Sequence, residues 1–304
     1  MFSESVKISL AYILICLLWG STWLAIRLGL DSLTPILSAG LRFSLASVLV
    51  YIIMRIKKIP LQTDSLSIKL YFILGFFSFV IPFGLVYWAE QFIPSGLASI
   101  IFAVMPFFVI IFSVLAIKEQ TITPIQIIGV ALGFFGIVVI FSEDLFVELS
   151  FDIWGMGAVL LSSIMQAGIA VTMKKYGKHL NPLSMNALPL LMAGVTMAIF
   201  GLLFEDMSKL KFDSNAFISV GYLAFFGTVL TFTTYYWLMR KINIVLLSLS
   251  TFITPIIAVI LGWVFLGEKF TSQILVGSSL VLVGILFANF SGLKNYLRSF
   301  TASR

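Results

Sequence analysis

Ten runs of about twenty apolar residues, parted by short polar connectors, dominate this chain: 8–28, 35–54, 69–89, 95–116, 123–141, 153–173, 182–204, 216–239, 243–266 and 272–290. At about 1.5 Å of helical rise per residue, each run matches the roughly 30 Å hydrocarbon core of a bilayer. No water reaches that core, so a run crossing it must satisfy its own peptide groups, and a helix does so. The runs are continuous and about twice as long as the alternating ~10-residue strands of a membrane barrel, which argues against a β-barrel. The breaks fall at Pro35, Pro60, Pro94, Pro124 and Pro182 and at the cluster Gln62-Thr63-Asp64-Ser65, where helix-breaking and turn-forming residues belong. The expected fold is an all-α polytopic membrane protein of ten crossings.

Composition agrees. Of 304 residues, 60% are apolar and 11% charged, too little polar surface to cover a water-facing globule. Ten spans leave only about 94 positions for loops and tails, so no separate soluble domain fits. The single Cys16 forbids an internal disulfide, and a lone His179 leaves no multi-histidine metal site. The first apolar run is too long for a signal-peptide core and reads as a span. The net charge of +6 comes from residues scattered between runs. It describes orientation better than nucleic-acid binding.

With the N-terminus cytoplasmic, 14 of the 19 basic residues lie inside and 3 outside, while Arg27 and Arg42 lie within spans; the acidic residues divide 3 inside and 10 outside. That asymmetry over short loops predicts both termini on the cytoplasmic side.

The halves repeat. Tyr87-Trp88 returns as Tyr236-Trp237, Pro106 as Pro255 and Glu119 as Glu268, each 149 positions later; Gly129 and Gly136 return as Gly277 and Gly284 at 148. Pro35 and Pro182, Arg27 and Lys174, and Trp19 and Gln166 correspond at 147. Five spans per copy is odd, so the second copy crosses in the opposite sense. Inverted repeats of this kind mark secondary transporters, with the substrate near the midplane between the copies. The expected units are 8–141 and 153–290, followed by a cytoplasmic tail over 291–304.

Several residues interrupt the apolar runs. Pro106 and Pro255 each free the carbonyl four residues earlier, at Phe102 and Thr251, which needs another partner in hydrocarbon. They are candidate kinks lining a cavity. Ser95, Ser99, Phe102 and Pro106 share one helical face, as do Ser248, Thr251 and Pro255; ordinary helix packing by small hydroxyl residues is the competing explanation. Trp19, near mid-span beside Thr22, needs a partner for its indole N–H, and with Gln166 it forms a candidate floor for a small amphipathic solute. The pairs Tyr87-Trp88 and Tyr236-Trp237 suit either an aromatic belt or gates at opposite faces, and neighbouring Tyr235 is a candidate substrate contact. Arg27, Arg42 and Glu90 are costly charges in the outer half. Glu90 either carries a coupling proton or neutralises an arginine. Glu119 and Glu268 precede spans 5 and 10, where a carboxylate stabilises a helix N-terminus. Gly129 and Gly133 form a GxxxG element suited to close helix packing.

Enzyme motifs fail. Gly262–Lys269 lacks the Gly-Lys-Ser/Thr ending of a phosphate loop, Gly155-Met156-Gly157 lacks the third glycine of a dinucleotide site, and neither H-E-x-x-H nor G-x-S-x-G occurs. No cofactor is expected, and without an ATP site concentrative transport draws on a gradient.

The block Trp19-Gly20-Ser21-Thr22-Trp23, the Leu41-Arg42-Phe43 element after Pro35, the run from Tyr87 to Phe108, and Glu119 and Glu268 with their downstream glycines resemble the EamA family of the drug/metabolite transporter superfamily. The resemblance covers nearly the whole chain, although Ile117-Lys118-Glu119 departs from the Leu266-Gly267-Glu268 form. It implies two inverted five-helix EamA units in the bacterial inner membrane and a cavity built largely from spans 1, 3, 4, 6, 8 and 9. Within that cavity it touches Trp19, Tyr87, Ser99 and Thr251 best. It also implies export of amino acids or related metabolites; the inverted repeats add alternating access, and Glu90 adds protons as a candidate coupling partner. Another solute class, sugar-linked or drug-like, and a passive channel stay open as alternatives.

Overall fold

The computed structural model describes residues 4–117, 122–145, 151–248 and 250–302, excluding the side chains of 143–145, 151, 245, 251, 289 and 291–302. Ten long helices follow one another among the described residues: α1 (Glu4–Leu30), α2 (Pro35–Ile56), α3 (Ser65–Ala89), α4 (Ser95–Ala116), α5 (Pro124–Leu145), α6 (Phe151–Tyr176), α7 (Ser184–Phe204), α8 (Ser214–Lys241), α9 (Leu246–Leu266) and α10 (Ser272–Ala302); the first nine are long and apolar enough to cross a membrane, and α10 carries a shorter apolar stretch over Ser272–Ala288. This is an all-α polytopic membrane protein. The segment expected as a tail continues α10 as helix to Ala302.

The starts of these helices follow from local chemistry. Pro35 sits in the first turn of α2, where its missing N–H costs nothing. Asp64 accepts from the Ser67 amide at 3.0 Å and Asp213 from the Ala216 amide at 3.0 Å, capping α3 and α8.

Two helix pairs flank the bundle through glycine seams. In the α5/α10 pair, a Cβ on Gly129 would stand 2.2 Å from the Ala288 amide nitrogen and 2.5 Å from the Gly284 carbonyl. In the α2/α7 pair, a Cβ on Gly194 would stand 2.5 Å from the Ser44 amide nitrogen. Only hydrogen fits at such backbone approach. The GxxxG surface of α5 is thus spent inside the chain.

The connections gather at two ends. At one, the Ser32 hydroxyl donates to the Asp213 carboxylate at 2.8 Å, and the Glu205 carboxylate accepts from the amides of Ile36 and Leu37 at 2.8 and 2.9 Å, capping α2 from α7. Glu268 belongs to this end. At the other, Ser67 pairs with His179 at 3.0 Å, and Lys241 with Glu4 at 2.9 Å.

Among the described residues four crossings are not regular. π-helical turns occupy Gly75–Val80 in α3, Phe225–Leu230 in α8 and Gly262–Leu266 in α9. α4 breaks at Ala103-Val104, and Pro106 opens the helix that follows. Pro255, by contrast, lies inside the helix Ser250–Leu261. The six helices not engaged in the flanking pairs, α1, α3, α4, α6, α8 and α9, surround a central cavity that Arg42 of α2 also reaches.

Candidate functional site

The cavity measures about 100 Å³, room for several water molecules or part of a small solute. Its walls are mostly apolar, and seven of the lining residues are aromatic. The Trp19 ring stands 5.4 Å from Phe232 and 5.2 Å from Tyr235, Trp23 stands 5.6 Å from Phe102, and Phe79 stands 5.0 Å from Phe232 behind the wall. Edge-to-face pairs of this kind hold rings in fixed orientations.

Its polar groups cluster where prolines and π turns disturb the helices. Pro82 has no N–H for the carbonyl of Ser78, four residues earlier, and the Gln166 amide donates to that carbonyl at 2.9 Å while the Ser78 hydroxyl donates back at 2.8 Å. Pro106 likewise frees the carbonyl of Phe102, and the Ser163 hydroxyl donates to it at 3.2 Å. One helix, α6, therefore repairs the backbone of both α3 and α4. The Ser162 hydroxyl adds a bond to the Pro82 carbonyl at 3.0 Å.

Arg42 serves the other π turn. Its Nε donates to the Thr228 hydroxyl at 2.9 Å, one terminal nitrogen to the Gly227 carbonyl at 3.1 Å, and the other to the Tyr87 hydroxyl at 3.3 Å. Ser78 and Gly227 are 149 positions apart, so corresponding carbonyls in α3 and α8 each receive a polar side chain. The rings of Phe43 and Phe83 face the guanidinium at 5.2 and 5.0 Å.

A second correspondence closes the ends. Arg27, at the end of α1, donates to the backbone carbonyl of Glu90 at 2.6 Å, and Lys174, near the end of α6, donates to the carbonyls of Met239 and, at 2.9 Å, Ile242. Glu90 and Met239 are 149 positions apart. Each cation thus meets the negative C-terminal pole of a helix, at opposite ends of the bundle.

Of the residues singled out from sequence, Trp19, Thr22, Phe102, Gln166, Tyr235, Ser248 and Arg42 line the cavity. Pro106 and Pro255, expected as kinks lining the cavity, are absent from its lining, and two residues expected as contacts lie elsewhere. Tyr87 is fully buried behind the wall and spends its hydroxyl on Arg42. Ser99 turns its hydroxyl onto the Gly96 carbonyl of its own helix at 2.6 Å. The side chain of Thr251, and Glu119 altogether, lie outside the described residues. The ion pair anticipated for Glu90 is not formed: its carboxylate is fully buried, neither oxygen has a hydrogen-bond partner among the described residues, and Arg27 reaches the backbone instead.

Glu268 does not cap its own following helix. It accepts from the Ser95 amide at 2.8 Å, the Ser95 hydroxyl at 2.7 Å and the Gly96 amide at 3.0 Å, capping α4 in the other half of the chain. Tyr236, read as part of a gate or belt, also lines the cavity, and sequence reasoning missed Ser78, Ser162, Phe83 and Phe232 there. Two signals were present: Pro82 four residues after Ser78, and the helical spacing of Ser162, Gln166, Ile169 and Met173.

These features define a class: a multi-pass helical membrane protein whose crossings converge on a largely apolar cavity lined in part by aromatic rings. The chain belongs to the EamA-like transporter family, which it matches over residues 6–142 and again over 153–290. It is 27% identical over 286 residues to the uncharacterized transporter YoaV of Bacillus subtilis, covering 94% of this chain and 98% of that protein. It is 32% identical over 259 residues to the uncharacterized inner membrane transporter YedA of Escherichia coli, 83% and 80% of the two chains, and 32% over 256 residues to protein PagO of Salmonella typhimurium, 84% of each. A solved crystal structure superposes with a TM-score of 0.72 over 96% of this chain and 99% of that one at 16% identity, a likeness of fold alone.

Proposed function

We propose that the chain is a secondary active transporter of the bacterial inner membrane that exports small metabolites, amino acids or related amphipathic compounds, by alternating access. The observation that carries this reading is the cavity itself. Apolar, partly aromatic walls suit an apolar body, and a few fixed hydroxyl and amide groups suit a polar head.

Alternating access rests on two inverted five-helix units, 8–141 and 153–290. Support comes from the double family match, from the paired carbonyl contacts at Ser78 and Gly227, and from the cation contacts of Arg27 and Lys174 at opposite ends. Each end has a latch of the same design, so closing one while releasing the other exposes the same cavity to alternate sides. The placement of both termini in the cytoplasm rests on the bias of basic residues, and the inner membrane on that bias and on the likeness to the inner membrane transporter YedA.

Glu90 is the proposed proton site. A buried carboxylate without a hydrogen-bond partner is stable when protonated and costly when charged, and Arg27, Arg42 and Glu268 all lie within its electrostatic reach. Proteoliposome counterflow across a panel of amino acids and other metabolites, with and without a proton gradient, tests the whole reading. Saturable exchange that a proton gradient drives is expected. Flux that neither saturates nor responds to a counter-gradient would identify a channel, and gradient-driven flux that survives Glu90→Gln would remove the proton role.

A further inference from the structure

We propose that Arg42 is the anchor for a substrate carboxylate, so that the cavity selects small monoanionic or zwitterionic acids over their neutral or purely cationic derivatives. The inference rests on the transporter reading and names the chemistry of its substrate. Arg42 is the single charged residue in the cavity lining among the described residues. It is 1% exposed and makes no salt bridge there.

A guanidinium carries five N–H donors. Three are spent, on Thr228, Gly227 and Tyr87. One N–H remains on each terminal nitrogen, the number a carboxylate accepts with its two oxygens. The neighbours that hold Arg42 are a carbonyl, two hydroxyls and two aromatic rings, all neutral, so the charge inside the membrane is oriented without being neutralised. A cation so placed is expensive unless an anion joins it. Glu90, the buried carboxylate within its electrostatic reach, makes no ion pair with it.

The remainder of the lining says what the anion is attached to. No second cation lines the cavity among the described residues, which disfavours a doubly charged phosphate. Aromatic rings make up part of the lining, and two further lining residues, Tyr235 and Ser250, have buried hydroxyls without a partner among the described residues. Such hydroxyls accept from an ammonium or amide group. One carboxylate, an optional amine and an apolar body is the chemistry that fits.

The test uses the purified full-length protein and four probes of one shape: L-phenylalanine, 3-phenylpropionate, L-phenylalaninamide and phenylethylamine. Binding is read from the quenching of tryptophan fluorescence, since Trp19 and Trp23 border the cavity. The two acids are expected to bind about 10- to 100-fold more tightly than the amide and the amine, the scale of losing charge-assisted bonds. Arg42→Gln should erase that difference and Arg42→Lys should keep part of it. The wild-type series stands alone if the variants fail to fold. Equal binding of acid and amide, or binding of the amide and amine alone, overturns the anchor and leaves the amphipathic-solute reading in place. Failure of all four probes to bind overturns both.

Discussion

Removing the Glu268 carboxylate should loosen the end of the bundle where the two halves of the chain meet. The side chain takes three donors at 2.7–3.0 Å from Ser95 and Gly96, and two of them are amides at the start of α4 that have no partner within the helix. The first helical piece of α4, Ser95–Phe102, is only eight residues long before the break, so little else holds its N-terminus. Hydrogen bonds to a charged acceptor contribute about 1.5–3 kcal/mol each when well buried. Glu268 is partly exposed, and counting the group as one charged cap gives a net loss of about 2–3 kcal/mol for Glu268→Ala. Glu268→Gln keeps one acceptor oxygen but turns an NH2 toward the other donor, so its loss should be intermediate. Thermal unfolding of the detergent-purified protein, followed by intrinsic fluorescence, reads the series. At roughly 2–4 °C per kcal/mol for chains of about this size, Glu268→Ala should unfold several degrees below wild type. A melting point within 1 °C of wild type would refute the cap as a stabilising contact.

Gly129→Leu should prevent α5 and α10 from meeting, because even its Cβ would enter the Ala288 backbone; a cost of about 3 kcal/mol should appear as loss of folded protein by size-exclusion chromatography, whereas Gly157→Ala, where nothing lies within 4 Å, should behave as wild type. Ser78→Ala and Gln166→Leu should be coupled, since each leaves the other's buried group unpartnered. A double-mutant cycle on thermal stability should give about 1 kcal/mol of interaction, and strict additivity would count against the contact. The Ala216 amide, and after it the Ser32 hydroxyl, hold the Asp213 carboxyl below its usual value. Its stabilising contribution is therefore complete above the unfolded value of about 4 and is lost as pH falls through the lower folded value. The advantage of wild type over Asp213→Asn should be present at pH 7 and shrink as the pH is lowered below about 4, and a gap independent of pH would show that the charge plays no part.

Much of the site was visible in the chain before its structure. Trp19 and Gln166 were singled out because mid-span polar atoms need partners, and both line the cavity. Pro106 was expected to orphan the Phe102 carbonyl, and Ser163 is the group that receives it. The hydroxyl residues divided less predictably. Ser99 and Ser248 sit on similar apolar spans, yet one bonds its own helix and the other lines the cavity. A serine can satisfy itself locally at little cost, so its pattern along the chain does not reveal which face the neighbours cover. Tyr87 illustrates the same limit: its repeat partner Tyr236 lines the cavity, while Tyr87 lies behind the wall holding Arg42.

What the sequence determined by itself is the number and approximate extent of the crossings and the correspondence of its halves. Run length and backbone self-satisfaction are properties of each segment alone, and lipid enforces them without reference to any neighbour. The tertiary structure decided which groups meet across segments. The π turns in α3 and α8, the reach of Glu268 into the other half, and the separation of Arg42 from Glu90 all depend on helices far apart in the chain. A carbonyl released by a proline must find a donor, but only packing selects the donor. For that reason the two arginines that sequence reading set against Glu90 are, in the folded protein, turned toward backbone carbonyls, hydroxyls and the cavity.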